Sequence, residues 1–148
     1  MKSLSVYRVT ELTAELRQAL GVLLPQLSPH LGAPSEERLR VMLADGSTVL
    51  LAAGAEGRIA GVLTLVWYDV PSGRKAWIED VVVDAAFRGA GVGRALVERA
   101  LELAAEAGAG RVMLTSNPTR TAARALYRKC GFKEAETSVF VRKTDNRE

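Results

Sequence analysis

The chain holds one cysteine and one histidine in 148 residues, and aromatic side chains make up only 5% of it. A lone cysteine excludes an internal disulfide and any metal site built from several thiolates. His30, the only imidazole, leaves no histidine cluster for a metal, and between Pro29 and Leu31 it reads as a loop residue rather than the centre of a catalytic triad. Apolar runs are short: none approaches the ~20 residues needed to cross a bilayer, and Met1-Lys2-Ser3-Leu4-Ser5 has no signal-peptide core. The excess of one charge sign is small as well, with 20 lysines and arginines against 17 acidic residues. A net charge of +3 suits an anionic ligand without requiring nucleic acid. These limits predict a soluble cytoplasmic protein without metal, folded as one domain over residues 1–148.

What is present is glycine at close spacing. Arg88-Gly89-Ala90-Gly91-Val92-Gly93 stands between the apolar run 76–83 and a helix-like segment over 94–107. Strand, glycine loop and helix together make a phosphate pocket. Glycines let the backbone turn sharply and bring its N–H groups to the ligand, and the helix that follows aims its positive end at the anion. A dinucleotide loop needs G-x-G-x-x-G, but the final position is Arg94 when counted from Gly89 and Leu96 when counted from Gly91. No Gly-Lys-Ser or Gly-Lys-Thr follows, so a Walker loop is excluded too.

The remaining pattern, Arg-x-x-Gly-x-Gly, resembles the pyrophosphate loop of the Gcn5-related N-acetyltransferase (GNAT) superfamily. A second stretch, residues 117–132, resembles that family's other signature, a helix that ends in Leu126-Tyr127 with Gly131-Phe132 beyond it. The resemblance covers about residues 48–143. It implies an α/β fold with a mixed, mainly antiparallel central sheet flanked by helices and splayed at the cofactor site, where acetyl-CoA is wedged between the strands of Glu79 and Met113. One position departs from the pattern: the asparagine that many members carry seven residues before the tyrosine is Arg120 here, which leaves Asn117 and Thr121 as alternatives for the contact to the pantetheine arm.

Hydrophobic periodicity supports the same class. Strands are predicted at 5–9, 48–53, 58–68, 76–83, 111–115 and 138–142, and helices at 11–24, 35–43, 94–107 and 119–129. Pro25 is expected to break the first helix, and Gly131 to end the last in a left-handed turn. Gly54-Ala55-Glu56-Gly57 marks a hairpin. Strands first, then strand-helix-strand-helix-strand, indicate a mixed α/β sheet.

Acetyl transfer from a thioester to an amine needs a held cofactor, a neutral amine, donors for the developing oxyanion and a proton for the departing thiolate. Backbone N–H groups of Arg88, Gly89, Ala90, Gly91, Val92, Gly93 and Arg94 are the expected pyrophosphate ligands, with charge added by Arg88 and Arg94. Asn117, Arg120 and Ala123 are the further expected cofactor contacts; Arg120, Arg124 and Arg128 form a basic stripe at spacing four that reads as a solvated face, with approach of Arg120 or Arg124 to a cofactor phosphate as the alternative. The resemblance implies that Val81, Val82 and Val83 offer a backbone N–H to the thioester oxygen. It also implies that Tyr127, a phenol still protonated at neutral pH, is the acid. Glu79 is the candidate base or substrate anchor. Strand alternation groups it with Trp77, Val81 and Val83, and an inward carboxylate among apolar neighbours has its pKa raised. Asp80 is the less favoured alternative. Asp69 and Asp84 add acidity that suits an amine arriving as a cation. Cys130 reads as a small buried hydrophobe, and Trp67 and Trp77 as core.

The reading is an acetyl-CoA-dependent N-acetyltransferase acting on a primary amine by direct attack in a ternary complex. Ile78-Glu79-Asp80 is similar to the same stretch in amino-sugar-phosphate acetyltransferases. The nearest rival is a protein N-terminal or lysine acetyltransferase. A non-catalytic acyl-CoA-binding regulatory module is the alternative from another class, against which the retention of Tyr127 and Glu79 argues. The sequence leaves a homodimer open, and gives no sign of a membrane or nucleic-acid partner.

Overall fold

A computed structural model describes residues 3–144. Of the polar end expected over 144–148, only Thr144 lies within the described residues. Strand β1 (Leu4–Arg8) leads to helix α1 (Ala14–Leu27) and helix α2 (Glu36–Ala44), followed by β2 (Thr48–Ala55), β3 (Arg58–Val70) and β4 (Gly73–Val83). A 3₁₀ turn (Ala85–Phe87), α3 (Val92–Glu106), β5 (Arg111–Met113) and α4 (Thr121–Lys129) complete the order. The sheet runs β1-β2-β3-β4-β5. Its first four strands are antiparallel, and β5 lies parallel to β4 through the α3 crossover. The mixed, mainly antiparallel sheet is as expected.

Helices α1 and α2 begin where the sequence supplies a cap. Thr13 accepts a hydrogen bond from the Leu16 N–H at 3.1 Å, and Ser35 accepts from Arg38 N–H at 3.1 Å with Glu36 and Glu37 in the first turn. Helix α1 runs through Pro25, contrary to the expected break. Pro25 sits in the last turn, so its missing N–H forfeits a single helical bond, and Ser28 N–H closes the end on the Leu24 carbonyl at 3.0 Å.

The helices cover the two faces of the sheet. Leu16, Leu20 and Leu23 of α1 and Leu39 of α2 pack with Leu50, Ala52, Val62 and Val82 on one face. Val92, Leu96, Val97, Ala100 and Ala104 of α3 pack with Val49, Leu51, Leu63, Leu65 and Ile78 on the other. Among the described residues, no buried residue is polar or charged. Burying each of these leucines and valines contributes roughly 1.5–3 kcal/mol, which makes the two layers the main source of stability.

Two expected strands differ. Pairing of β5 ends at Met113 rather than Thr115. Residues 138–142 form no strand at all: Val139, Phe140 and Val141 are 65%, 94% and 82% exposed. The apolar pattern is a strand's, but an extended segment without a ladder to join gains no hydrogen bonds. No helix among the described residues is long and apolar enough to cross a membrane.

Candidate active site

The site is made by what β4 and β5 do not share. Their register is Lys75 with Arg111, Ala76 with Val112 and Trp77 with Met113, and there it stops. From Ile78 to Val83, β4 pairs with β3 alone, leaving its other edge without a ladder partner. Both strands point the same way, so their carboxyl ends flank the opening, and the helices that follow them start there. This brings Val81, Val82 and Val83, the 88–94 loop, Asn117, Arg120, Ala123 and Tyr127 to one end of the sheet.

A bulge sets the faces of β4. Thr64 pairs with Glu79 and Val62 with Val82, so Leu63 stands opposite two residues, Asp80 and Val81. Asp80 takes φ +50°, the left-handed region that aspartate tolerates better than most side chains. The bulge inverts the alternation. Before it Ala76 and Ile78 face α3, and after it Val81 and Val83 do, while Val82 faces α1. Glu79 therefore does not share a face with Val81 and Val83. It points with Trp77 toward the α1 side, and no inward buried carboxylate exists, since Glu79 and Asp80 are both exposed. Partial desolvation, with the charge of Asp80 beside it, still raises the Glu79 carboxyl above the ordinary range. Three apolar residues in a row at 81–83 hid the bulge from the sequence.

Trp77 belongs to neither core cluster. Its indole N–H donates to the Tyr68 hydroxyl at 2.9 Å, and the two rings lie half-exposed on the Glu79 face, which corrects the reading of Trp77 as core. Trp67 does pack against the core.

The glycine loop is open toward its surroundings. Gly89 and Gly91 take φ +81° and +83°, and a Cβ on either would meet nothing within 4 Å. Gly91 caps α3 without a side chain, and Ala95 N–H is the first to bond back, to the Gly91 carbonyl at 3.1 Å. The N–H groups of Val92, Gly93 and Arg94 thus precede the first helical bond. Gly93 has a packing duty as well: its Cβ would lie 3.0 Å from Leu126 Cδ2, so glycine lets α3 approach α4. Helix α4 begins in the same manner, with no side-chain cap at Arg120 and its first helical bond from Arg124 N–H to the Arg120 carbonyl at 3.0 Å. Neither helix has an acidic residue in its first turn. Two unscreened positive helix ends beside Arg88, Arg94 and Arg120 fit a polyanion.

Sequence reasoning missed the brace behind this loop. Asp84 accepts from Ala86 N–H at 3.0 Å and pairs with Arg58 at 3.7 Å, while the Arg58 guanidinium lies 4.9 Å above the Phe87 ring. Gln26 of α1 accepts from Ala85 N–H at 2.9 Å, across 59 positions of chain. Such pairs carry no local signal. Asp84 is thereby engaged, as is Asp69, held by Arg74 through bonds of 2.7 and 2.9 Å. Arg124 pairs with Glu134 at 3.5 Å and donates to the Ser116 carbonyl at 3.4 Å, and Arg94 pairs with Glu98 at 3.5 Å. The Asn117 carboxamide oxygen accepts from both Thr119 N–H and its hydroxyl, at 2.9 and 2.8 Å, which fixes the side chain and leaves its NH2 donors, with the Thr121 hydroxyl, at the start of α4.

Tyr127 stands on α4, its ring edge-on to Phe132 with centroids 6.1 Å apart. Burial raises its phenol pKa, partly offset by the Arg120 guanidinium. It remains an acid that keeps its proton. Burial likewise pushes the Cys130 thiol up, which opposes a nucleophilic role. His30 is an exposed residue of the turn after α1.

Comparison with known proteins agrees with this geometry. The sequence model of the acetyltransferase (GNAT) family matches residues 12–132. The chain is 36% identical over 143 residues to glucosamine 6-phosphate N-acetyltransferase 1 of Oryza sativa subsp. japonica, covering 90% of this chain and 85% of the rice protein. In fold it is similar to an aminoglycoside acetyltransferase from an uncultured soil metagenomic sample, with a TM-score of 0.84, 22% identity and coverage of 97% of both chains. It is similar also to glucosamine-6-phosphate N-acetyltransferase of Arabidopsis thaliana, with a TM-score of 0.82, 23% identity and coverage of 97% of this chain and all of that one. A splayed sheet end, two uncapped helix starts and a protonated phenol therefore stand in a chain that belongs to the acetyltransferase (GNAT) family, the acetyl-CoA-dependent N-acetyltransferases.

Proposed function

We propose that the protein acetylates the primary amine of a small amino sugar by direct attack within a ternary complex. The observation that carries this reading is the end of β4–β5 pairing at Trp77 and Met113, with Glu79 on one side of the opening and Tyr127 on the α4 side. Acetyl-CoA supplies the acetyl group as a thioester. The free N–H groups of Val92, Gly93 and Arg94, with Arg88, hold its pyrophosphate, and the start of α4 with Arg120, Thr121 and Ala123 holds the arm. The amine approaches from the α1 side. Glu79 takes a proton from the ammonium, the neutral amine attacks the thioester carbon, and N–H groups of the unpaired 81–83 edge receive the charge that grows on oxygen. Tyr127 protonates the departing sulfur, and the second proton that the amine nitrogen sheds as the amide forms restores the phenol.

The acceptor class rests on the Glu79 face. Glu79 and Asp80 attract a cation, and the half-exposed Trp77 and Tyr68 rings offer an apolar platform for a sugar ring. The single cysteine suits the reducing cytoplasm as the place of action. A panel containing glucosamine 6-phosphate, an aminoglycoside, and peptides with a free N-terminus or lysine, assayed by thiol release, tests the assignment. Amino sugars are expected to give the highest kcat/KM, and turnover confined to peptides overturns it.

Glu79→Gln is expected to slow the reaction at neutral pH and displace the pH–rate profile toward alkaline values. The wild-type acid limb reports ionisation of Glu79, raised above an ordinary carboxylate, and the amide has no such ionisation. An unchanged profile with a raised acceptor KM assigns Glu79 to anchoring alone.

A further inference from the structure

Helix α1 keeps its last turn in spite of Pro25, with Leu24 and Leu27 packed on the α1-side cluster. That turn delivers one polar side chain to another element. Gln26 is half-buried, its carboxamide nitrogen donates to the Val22 carbonyl at 3.2 Å, and its oxygen accepts from Ala85 N–H at 2.9 Å. Both ends of the amide are engaged, so the oxygen has a fixed aim. No step of the acetyl transfer above uses this residue.

The turn that receives Gln26 leads into the glycine loop. From Asp84 to Arg88 every backbone N–H has an acceptor: Asp84 bonds to the Ala60 carbonyl at 2.8 Å, Ala85 to Gln26, Ala86 to the Asp84 carboxylate at 3.0 Å, Phe87 to the Asp84 carbonyl at 2.8 Å and Arg88 to the Ala85 carbonyl at 3.4 Å. Beyond Arg88 the pattern reverses. Among the described residues, the N–H groups of Gly89, Gly91, Val92, Gly93 and Arg94 have no acceptor, and only Ala90 bonds back, to the Phe87 carbonyl at 3.3 Å. A closed turn therefore aims an open loop.

The turn is gripped from two faces of the sheet. On the α3 side Phe87 is buried in the core, and on the α1 side Gln26 holds Ala85, whose own carbonyl takes the N–H of Arg88, the first residue of the loop. Ala85 is exposed, so water satisfies its N–H wherever Gln26 does not. The bond is thus of small consequence for stability and of direct consequence for the direction of the turn.

We infer that Gln26 is a positioning residue for the cofactor: by holding Ala85 it sets the tilt of the 84–88 turn, so that the open N–H groups beyond Arg88 converge on one anion. The inference rests on the reading that this loop binds the CoA pyrophosphate, and adds to it a residue that stands 59 positions before the one it holds. Without the bond the turn keeps its grip at Phe87 but samples other tilts, and the apparent affinity falls with the share of molecules whose loop is correctly aimed.

Gln26→Met keeps the length of the side chain and removes the acceptor. Titration calorimetry is expected to show CoA bound about 3- to 10-fold more weakly, the loss of one neutral hydrogen bond, with the Ala85 amide exchanging faster in the free protein. In turnover with the best acceptor of the panel, the KM for acetyl-CoA rises by the same factor and kcat stays, while kcat/KM for S-acetylpantetheine, which has no pyrophosphate, is unchanged. Ala85→Pro deletes the donor from the other side. Asp84, at φ −55° and ψ 134°, accommodates a following proline, and proline suits the first position of a helical turn. In that background Gln26→Met is expected to change kcat/KM for acetyl-CoA no further. Wild-type affinity for CoA in Gln26→Met, an equal loss for the two donors, or a full second loss in the Ala85→Pro background overturns the inference and leaves the pyrophosphate reading standing. A wild type that binds no CoA overturns the pyrophosphate reading and the inference with it.

Discussion

Gly91→Val is expected to abolish binding of CoA and acetyl-CoA while leaving the circular dichroism spectrum near that of the wild type. Gly91 sits at φ +83°, where a β-branched residue is strained by about 1–3 kcal/mol, so the loop rearranges and the first N–H groups of α3 lose their common aim. Each charge-assisted hydrogen bond to the pyrophosphate contributes about 1.5–3 kcal/mol. Losing two of them weakens binding by about 10²–10⁴-fold. A domain with stability of about 5–15 kcal/mol absorbs the backbone strain and stays folded. Gly91→Asn separates the two components: asparagine tolerates the left-handed backbone and nothing lies within 4 Å of its Cβ, so it keeps the loop and hinders only the ligand. Unchanged affinity in the valine variant, measured by titration calorimetry, places the cofactor elsewhere.

Tyr127→Phe is expected to lower kcat by about 10²-fold or more, the scale of general acid catalysis, with the KM for acetyl-CoA little changed. The phenylalanine ring keeps its edge-on contact with Phe132, so lost packing does not explain the effect. Burial raises the phenol pKa, so the proton is in place across the neutral range and the wild-type rate shows no loss from Tyr127 ionisation there. Turnover equal to the wild type with a good acceptor makes Tyr127 a packing residue only.

Both predictions rest on residues that were legible in the sequence, and the reason is local. Gly89, Gly91 and Gly131 are there because the backbone turns to positive φ at each, a demand one residue meets alone and therefore displays alone. Thr13 and Ser35 announce their helices for the same reason. Where the structure depends on partners far along the chain, the sequence was silent or misleading. The bulge at Asp80 moved Glu79 to the opposite face from Val81 and Val83, and nothing in a run of three valines distinguishes regular alternation from a bulged one. The roles of Arg58, Gln26 and Arg124 come from side chains that meet only after folding. Residues 138–142 carry a strand's pattern, but a pattern specifies which faces want cover and not which edge supplies it.

Whether the loop from Arg88 to Arg94 holds the CoA pyrophosphate is read most directly from the melting temperature of the full chain with and without CoA. At 100 times the dissociation constant, binding to the folded state alone stabilises it by about 2.7 kcal/mol, a rise of about 5–10 °C for a domain of this size. The account predicts that rise for the wild type and its absence in Gly91→Val. A wild-type melting temperature unmoved by CoA, with no heat in a parallel titration, contradicts it.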